Sequence, residues 1–246
     1  MTASLSRRLT AEFVGTAFLV AAVVGSGIMA DRLSNGNVAL ALLATTIATG
    51  AALVALILAF GPISGAHFNP AVTLADVMER GLTWTHGAAY ILSQIFGGVS
   101  GAIAAHLMFG LQTISISRHV RNGGAQLFSE FVATFGLLSV IWGCSRLRST
   151  VVPFAVGGYI TAAYWFTAST SFANPAVTIA RSLSDTFAGI RPDDVPLFIV
   201  AQLLGAVAAT LLFRWLAPSL TSQAKNVLLA HGAPMSEVEV SRGAAP

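Results

Sequence analysis

Two stretches of the chain, Asn69-Pro-Ala-Val-Thr-Leu-Ala75 and Asn174-Pro-Ala-Val-Thr-Ile-Ala180, agree at six of seven positions. Each sets an asparagine, a strong helix N-cap, before a proline, which suits the first helical position because it has no N–H to satisfy. Each therefore predicts the start of a helix of about ten residues, about 15 Å long. A helix start offers unpaired N–H groups and the positive end of a dipole. Beside a carboxamide, such groups can donate hydrogen bonds to an oxygen and repel cations. They make and break no covalent bonds. One Asn-Pro-Ala is an ordinary helix start, whereas two in corresponding contexts are a candidate site. Elsewhere, Glu12 and Glu130 are acids inside apolar runs, and an intramembrane carboxylate is a functional candidate. No clustered His or carboxylates suggest a catalytic constellation. The single Cys excludes a disulfide framework and a Cys-based metal site. Neither a cofactor nor a metal is expected.

The matches continue in order. Glu12-Phe-Val-Gly-Thr16 recurs as Glu130-Phe-Val-Ala-Thr134, and Gln94-Ile-Phe-Gly97 recurs as Gln202-Leu-Leu-Gly205. The chain is thus two related halves, about 5–115 and 124–217. Of its 246 residues, 55% are hydrophobic and 9% charged, against roughly 25% charged in soluble domains. With a mean hydropathy of +0.76, the composition is that of a polytopic membrane protein. Apolar runs at about 9–30, 38–60, 85–110, 124–145, 150–168 and 195–217 predict six spans, each near the 20 residues that cross a bilayer. Three spans per half is an odd number, so the second half enters the membrane inverted. Inverted repeats place a shared substrate path at the midplane. Two half-helices from opposite faces would together cover about 30 Å, one hydrocarbon thickness. Non-helical backbone at that depth must line a water-filled path or be buried in protein. Gly97…Gly101 and Gly205…Ala209, each four apart, allow close helix approach.

With both termini inside, Arg7, Arg8, Arg80, Arg146, Arg148, Arg214, Lys225 and Arg242 are cytoplasmic. Arg32, Arg118, Arg121, Arg181 and Arg191 are then outside. This positive-inside bias predicts cytoplasmic termini in a plasma (bacterial inner) membrane. The net charge of +3 is too small to suggest nucleic-acid binding. No cleavage site follows the first apolar run, so it is expected to stay as a helix. Residues 1–217 form the expected membrane channel domain, and the polar stretch 218–246 reads as a flexible cytoplasmic tail. Its acids, Glu237 and Glu239, are too sparse to argue for a regulatory partner.

The run Ser64-Gly-Ala-His-Phe-Asn-Pro-Ala-Val-Thr73, the second Asn174-Pro-Ala, and the paired Glu12 and Glu130 resemble the aquaporin (major intrinsic protein) family. The likeness covers nearly the whole chain apart from the tail. It implies an all-α membrane protein: an aquaporin-like, right-handed bundle of six transmembrane helices plus two re-entrant half-helices in an inverted repeat. It also implies a homotetramer in the lipid bilayer, with one pore per subunit. Asn69, Pro70, Ala71, Asn174, Pro175 and Ala176 would then be the paired pore motifs. Gly65, Ala66, His67, Phe172 and Ala173 would line the pore, with carbonyls near 65–67 and 169–173 as acceptors. Glu12 and Glu130 would brace the re-entrant loops, with proton coupling as the alternative role. His67 would line the inner mouth, and its titration range adds pH gating as a further possibility.

The family's narrow filter uses four positions set by distance from the motifs. Counting twenty back from Asn69 gives Thr49. Counting from Asn174 gives Ala162 twelve back, Ser171 three back and Val177 three on. The middle two could slip by one, to Ala163 or Phe172. Water-selective and glycerol-conducting members normally carry Arg at the last position and an aromatic residue at another. Val177 removes the guanidinium, and Thr49 replaces a bulky residue, so a wider and less polarised opening is expected. Such a filter resembles that of aquaglyceroporins found with bacterial arsenic-resistance genes. It implies passage of water, glycerol-type polyols, arsenous acid and organic arsenicals. Arg181, one turn past Val177 and about 6 Å nearer the outer mouth, is a candidate substitute vestibule charge. The plainer alternative is an ion pair with Asp185.

Four function classes compete. A passive channel for small neutral solutes leads, whether aquaglyceroporin-like or water-selective. A coupled secondary transporter also uses inverted repeats and broken helices, but only two acids lie in the spans and no ion-binding set accompanies them. A membrane enzyme lacks its constellation, and a non-conducting junction protein is the fourth.

Overall fold

The computed structural model describes residues 3–147 and 149–216. The predicted tail lies outside the described residues, as does Arg148. Among the described residues eight α-helices follow one another: α1 (Leu5–Leu33), α2 (Val38–Ser64), α3 (Pro70–Met78), α4 (Trp84–Met108), α5 (Gly124–Leu147), α6 (Val152–Phe166), α7 (Pro175–Arg181) and α8 (Val195–Leu216). No strand occurs among the described residues. The order long, long, short, long appears twice, as the repeated motifs require. Packing repeats as well. α1 lies against α4 and α2, just as α5 lies against α8 and α6. Across the halves, α2 packs on α6, α3 on α8 and α7 on α4.

Among the described residues, five helices are long and apolar enough to cross a membrane. The fifth predicted span, 150–168, is shorter than expected. α6 has 15 residues and follows a single 3-10 turn at Ser149–Val151. Pro153 sits in its first turn and fixes its start. The half-helices are also shorter than the expected ten residues, at 9 in α3 and 7 in α7. End to end they cover about 24 Å, so loop backbone and side chains complete the path.

Polarity is arranged inside out. Phe18, Phe96, Phe128, Phe154 and Leu204 are exposed on the flanks of long helices, while Glu12, Glu130, Gln94 and Gln202 are wholly buried. In water such an apolar surface would drive association. In a bilayer it faces acyl chains, and the chain is a multi-pass membrane protein.

With hydrocarbon outside, hydrophobic burial does little to join the helices, and close backbone contact must do so instead. Gly97 and Gly101 of α4 press on the carbonyls of Phe13 and Ala17 in α1, and Gly205 of α8 presses on that of Phe131 in α5. A methyl group at any of the three would collide with backbone. Gly158, by contrast, has nothing within 4 Å of where a Cβ would stand. Gly205→Ala is therefore expected to lower the unfolding temperature of the detergent-solubilised protein. Gly158→Ala should raise its stability by roughly 0.5–1 kcal/mol, through the lower backbone entropy of Ala in a helix. Equal effects of the two would contradict this packing.

Candidate functional site

Each half-helix opens with the same local chemistry. Asn69 Oδ1 accepts from Ala71 N at 2.9 Å, and Asn174 Oδ1 accepts from Ala176 N at 3.0 Å and Val177 N at 3.3 Å. The amide nitrogens then cross over. Asn69 Nδ2 donates to Ala173 O, and Asn174 Nδ2 donates to Phe68 O, both at 2.8 Å. The two helix starts are thereby tied together, each through the residue that precedes the other's asparagine. Each amide keeps its second N–H.

The loops leading into the half-helices are strained in the same register. Ala66 and Phe68 have φ of 50°, and Ser171 and Ala173 have φ of 49°. None is glycine, and each left-handed residue costs of order 1–3 kcal/mol unless its surroundings hold it. Two buried carboxylates do the holding. Glu12 accepts from Ser64 Oγ (2.6 Å), His67 N (3.0 Å), Phe68 N (2.7 Å) and Gln94 Nε2 (2.8 Å). Glu130 accepts from Phe172 N and Ala173 N (both 2.9 Å) and from Gln202 Nε2 (2.6 Å). The same two glutamine amides also reach the half-helices, at Thr73 Oγ1 (2.9 Å) and Thr178 Oγ1 (2.8 Å). The repeat Gln94/Gln202 is visible in the sequence, but these roles are not.

A cavity of about 80 Å³ runs through this region. Thr49, Gly65, Ala66, His67, Asn69, Ser171, Phe172, Ala173, Asn174, Val177 and Arg181 all border it. One wall is apolar, from Leu19, Leu53, Val72, Leu137 and Val156 among others. On the polar side, no protein donor reaches the carbonyls of Ala66, His67, Ser171 or Phe172 among the described residues. Ser171 Oγ also has no partner there.

Ala162 does not join them. It is exposed on the outer surface of α6, and its neighbour Ala163, though buried, is absent from the cavity wall. Val152, Val156, Ile160 and Tyr164 line the cavity, which is one face of a helix at four-residue spacing. Ala162 stands two residues from that stripe and points away. Counting back from Asn174 assumes a fixed link between helix and motif, and here the register differs by two residues. From α6 it is Tyr164 that borders the cavity at this level, its hydroxyl 3.3 Å from Thr49 Oγ1. The α6 wall of the cavity therefore includes an aromatic residue, and the four-residue spacing of Val152, Val156, Ile160 and Tyr164 was the available signal.

Arg181 is only 3% exposed. Its Nε donates to Ala188 O, and its guanidinium carbon lies 3.4 Å from the centroid of the Phe172 ring. The ion pair with Asp185 does not form. Asp185 instead accepts from Arg118 N at 2.9 Å and pairs with Arg118 Nε at 3.2 Å. These contacts hold the Asp185 carboxyl below the usual range, the backbone N–H being the largest cause. Arg121, which sequence reasoning passed over, ties three loops to one point. It donates to Gly189 O (2.8 Å), Ser169 O (3.1 Å) and Thr170 Oγ1 (3.4 Å).

At the other end, His67 Nδ1 is 3.1 Å from Thr73 Oγ1, and its Nε2 is 3.9 Å from Asp76. Arg8 donates to Tyr90 Oη at 2.6 Å, and that hydroxyl donates to Ser64 O at 2.9 Å. Arg214 pairs with Glu79 at 2.5 Å. No group of three or more metal-ligating side chains occurs among the described residues.

Removing a buried acceptor strands its donors, at roughly 1–3 kcal/mol each. Glu130→Ala is thus expected to cost roughly 3 kcal/mol or more, with Glu130→Gln recovering part. Unfolding of the solubilised protein measures this. An unaltered stability would show that the strained loop is held by something else.

The family model described as Major intrinsic protein matches residues 1–168 and 144–241. Aquaglyceroporin AqpS of Rhizobium meliloti (strain 1021) is 58% identical over 212 residues, which cover 86% of this chain and 91% of that protein. Probable aquaporin AqpM of Archaeoglobus fulgidus is 31% identical over 247 residues, covering 88% and 99%. The X-ray structure of the aquaglyceroporin from Plasmodium falciparum superposes with a TM-score of 0.68 at 21% identity, covering 88% of this chain and 99% of that one. The chain belongs to the major intrinsic protein family and has the aquaporin fold.

Proposed function

We propose that this member of the major intrinsic protein family is a passive channel for water and small neutral solutes such as glycerol, and not an enzyme. One observation carries the reading: two helix N-termini meet inside a cavity, joined by reciprocal asparagine bonds, with one N–H of each amide left over. A hydroxyl oxygen passing this point can accept from Asn69 and Asn174, while its own proton goes to a free carbonyl of Ala66, His67, Ser171 or Phe172. A cation finds the positive ends of two dipoles instead. The apolar wall gives carbon-bearing solutes a surface that costs no hydrogen bonds.

Glu12 and Glu130 act as loop braces, their lone pairs being taken up by backbone and glutamine donors. Thr49, Tyr164, Ser171 and Val177 form the filter. With valine where a guanidinium would otherwise stand, the opening is wide for its kind, although Tyr164 narrows it more than an alanine would. Arsenous acid, neutral near pH 7, and organic arsenicals belong to the class that such an opening admits. Its relative AqpS is named an aquaglyceroporin, which supports the polyol reading. Arg181 supplies the positive charge that Val177 lacks. Residues 1–217 are the channel domain, in a bacterial inner membrane with both termini cytoplasmic. The assembly is a homotetramer, its contacts drawn from the exposed apolar flanks.

Stopped-flow light scattering on proteoliposomes tests the reading. Glycerol flux well above that of empty vesicles is expected, and Val177→Arg should reduce it by about tenfold or more, because a bulky hydrated cation fills the opening. Water flux without glycerol flux would place the constriction elsewhere. Arg181→Ala is expected to raise sodium leak. Leak and solute flux both equal to those of the unaltered protein would remove Arg181 from the filter.

A further inference from the structure

The end of the cavity bounded by Phe172 carries more positive charge than its neighbours neutralise. Arg181 lines the cavity at 3% exposure, and its only side-chain hydrogen bond among the described residues is from Nε to the carbonyl of Ala188. No acceptor meets its terminal nitrogens among the described residues. A second guanidinium, that of Arg121, lies 5.0 Å from the same Phe172 ring centroid. The two cations can be no farther apart than their two ring distances together. Every side-chain acceptor of Arg121 is neutral: two carbonyls and a hydroxyl.

Four carboxylates of the neighbouring loops and α5 have other partners. Asp185 is bound by Arg118. Asp193 and Asp194 pair with Arg191, and Asp194 also accepts from Arg121 N at 2.8 Å. Glu130 is taken by two backbone N–H groups and Gln202. Glu130 supplies one nearby negative charge, so two guanidiniums and one carboxylate leave a net positive charge drawn out of bulk water, which attracts an anion because the low-dielectric surroundings screen it poorly.

We infer that Arg181, reinforced by the field of Arg121, forms a binding site for a small monovalent anion at this mouth of the channel, and that the bound anion competes with neutral solutes for entry. The inference rests on the channel reading only for its second half. Nitrate, thiocyanate and chloride fit the chemistry. They are small enough for a narrow cavity, carry one charge, and lose hydration water more cheaply than sulfate or phosphate. Guanidinium is a matching partner, being itself weakly hydrated and able to donate from two parallel N–H groups. The stacked Phe172 ring and the Ala188 carbonyl hold the Arg181 group in place, so little side-chain freedom is lost on binding.

Two measurements on the full chain test this. In proteoliposomes, glycerol flux is compared with external thiocyanate against gluconate at equal osmolarity. The ratio of the two fluxes is expected to fall to about one half or lower at roughly 100 mM thiocyanate. It should return to one in Arg181→Gln, and Arg121→Gln should lie between. Separately, chloride-35 NMR on the detergent-solubilised protein reads binding without flux. Line broadening that thiocyanate reverses is expected, and Arg181→Gln should abolish it. If broadening depends on Arg181 but no glycerol flux is seen, the anion site stands and the channel reading falls. If glycerol flux is present but insensitive to thiocyanate, and broadening is the same in Arg181→Gln, the anion site is overturned. Matching circular dichroism and elution of the variants would separate loss of the site from loss of the fold.

Discussion

The structure turns on two carboxylates buried away from water. Glu12 and Glu130 each stand within a long apolar helix, where an unpaired charge would be prohibitive, and each is saturated by donors that have nowhere else to go. Those donors are the N–H groups of loops bent through left-handed residues. The bend leaves the carbonyls of 66, 67, 171 and 172 without a protein donor among the described residues, in the segments that border the cavity. Each partner solves the other's problem. The carboxylate needs several N–H groups, and the strained backbone needs an acceptor on the side away from the solute. Gln94 and Gln202 complete the arrangement by linking each carboxylate to a threonine on the half-helix that its loop leads into.

Around this centre the ordinary logic of a core is reversed. Bulky apolar side chains cover the outside, and small residues hold the helices together. The polar groups sit within, where each must find a partner or serve the solute. A cavity lined by free carbonyls on one side and aliphatic chains on the other suits a molecule that is itself two-sided, with hydroxyls and a carbon skeleton. It suits a bare cation poorly, because half of the wall offers no ligand.

Much of this is legible in the residues alone. The paired Asn-Pro-Ala runs locate the half-helices, because cap and proline chemistry act locally. The matched Glu and Gln positions in the two halves give the inverted symmetry, because an odd span count leaves no other topology. Thr49, Ser171 and Val177, each counted from a motif asparagine, all border the cavity. Ala162 does not. Across the loop from α6 to α7 the spacing to the motif differs by two residues, and on a helix such a difference turns a side chain to the opposite face. Arg121 and the fate of Arg181 are not legible at all. Their partners are mainly carbonyls and a ring contributed by other loops, and backbone acceptors leave no trace in residue types. Pro153 hints at the shortness of α6, but hydropathy averages over a proline without noticing it.

The reciprocal bonds between Asn69 and Ala173, and between Asn174 and Phe68, have a consequence for how such a chain could have arisen. They are self-complementary: each half gives what it receives. An interface of that kind is what two identical subunits form about a twofold axis. A single three-helix half with one half-helix would already contain both sides of it, and two copies inserted in opposite senses could close the same cavity. Fusion into one chain adds freedom rather than a new contact. Once the halves are separate stretches of sequence, one can carry Asp76 where the other carries Arg181, and the two mouths of the path can differ in charge while its centre stays symmetric.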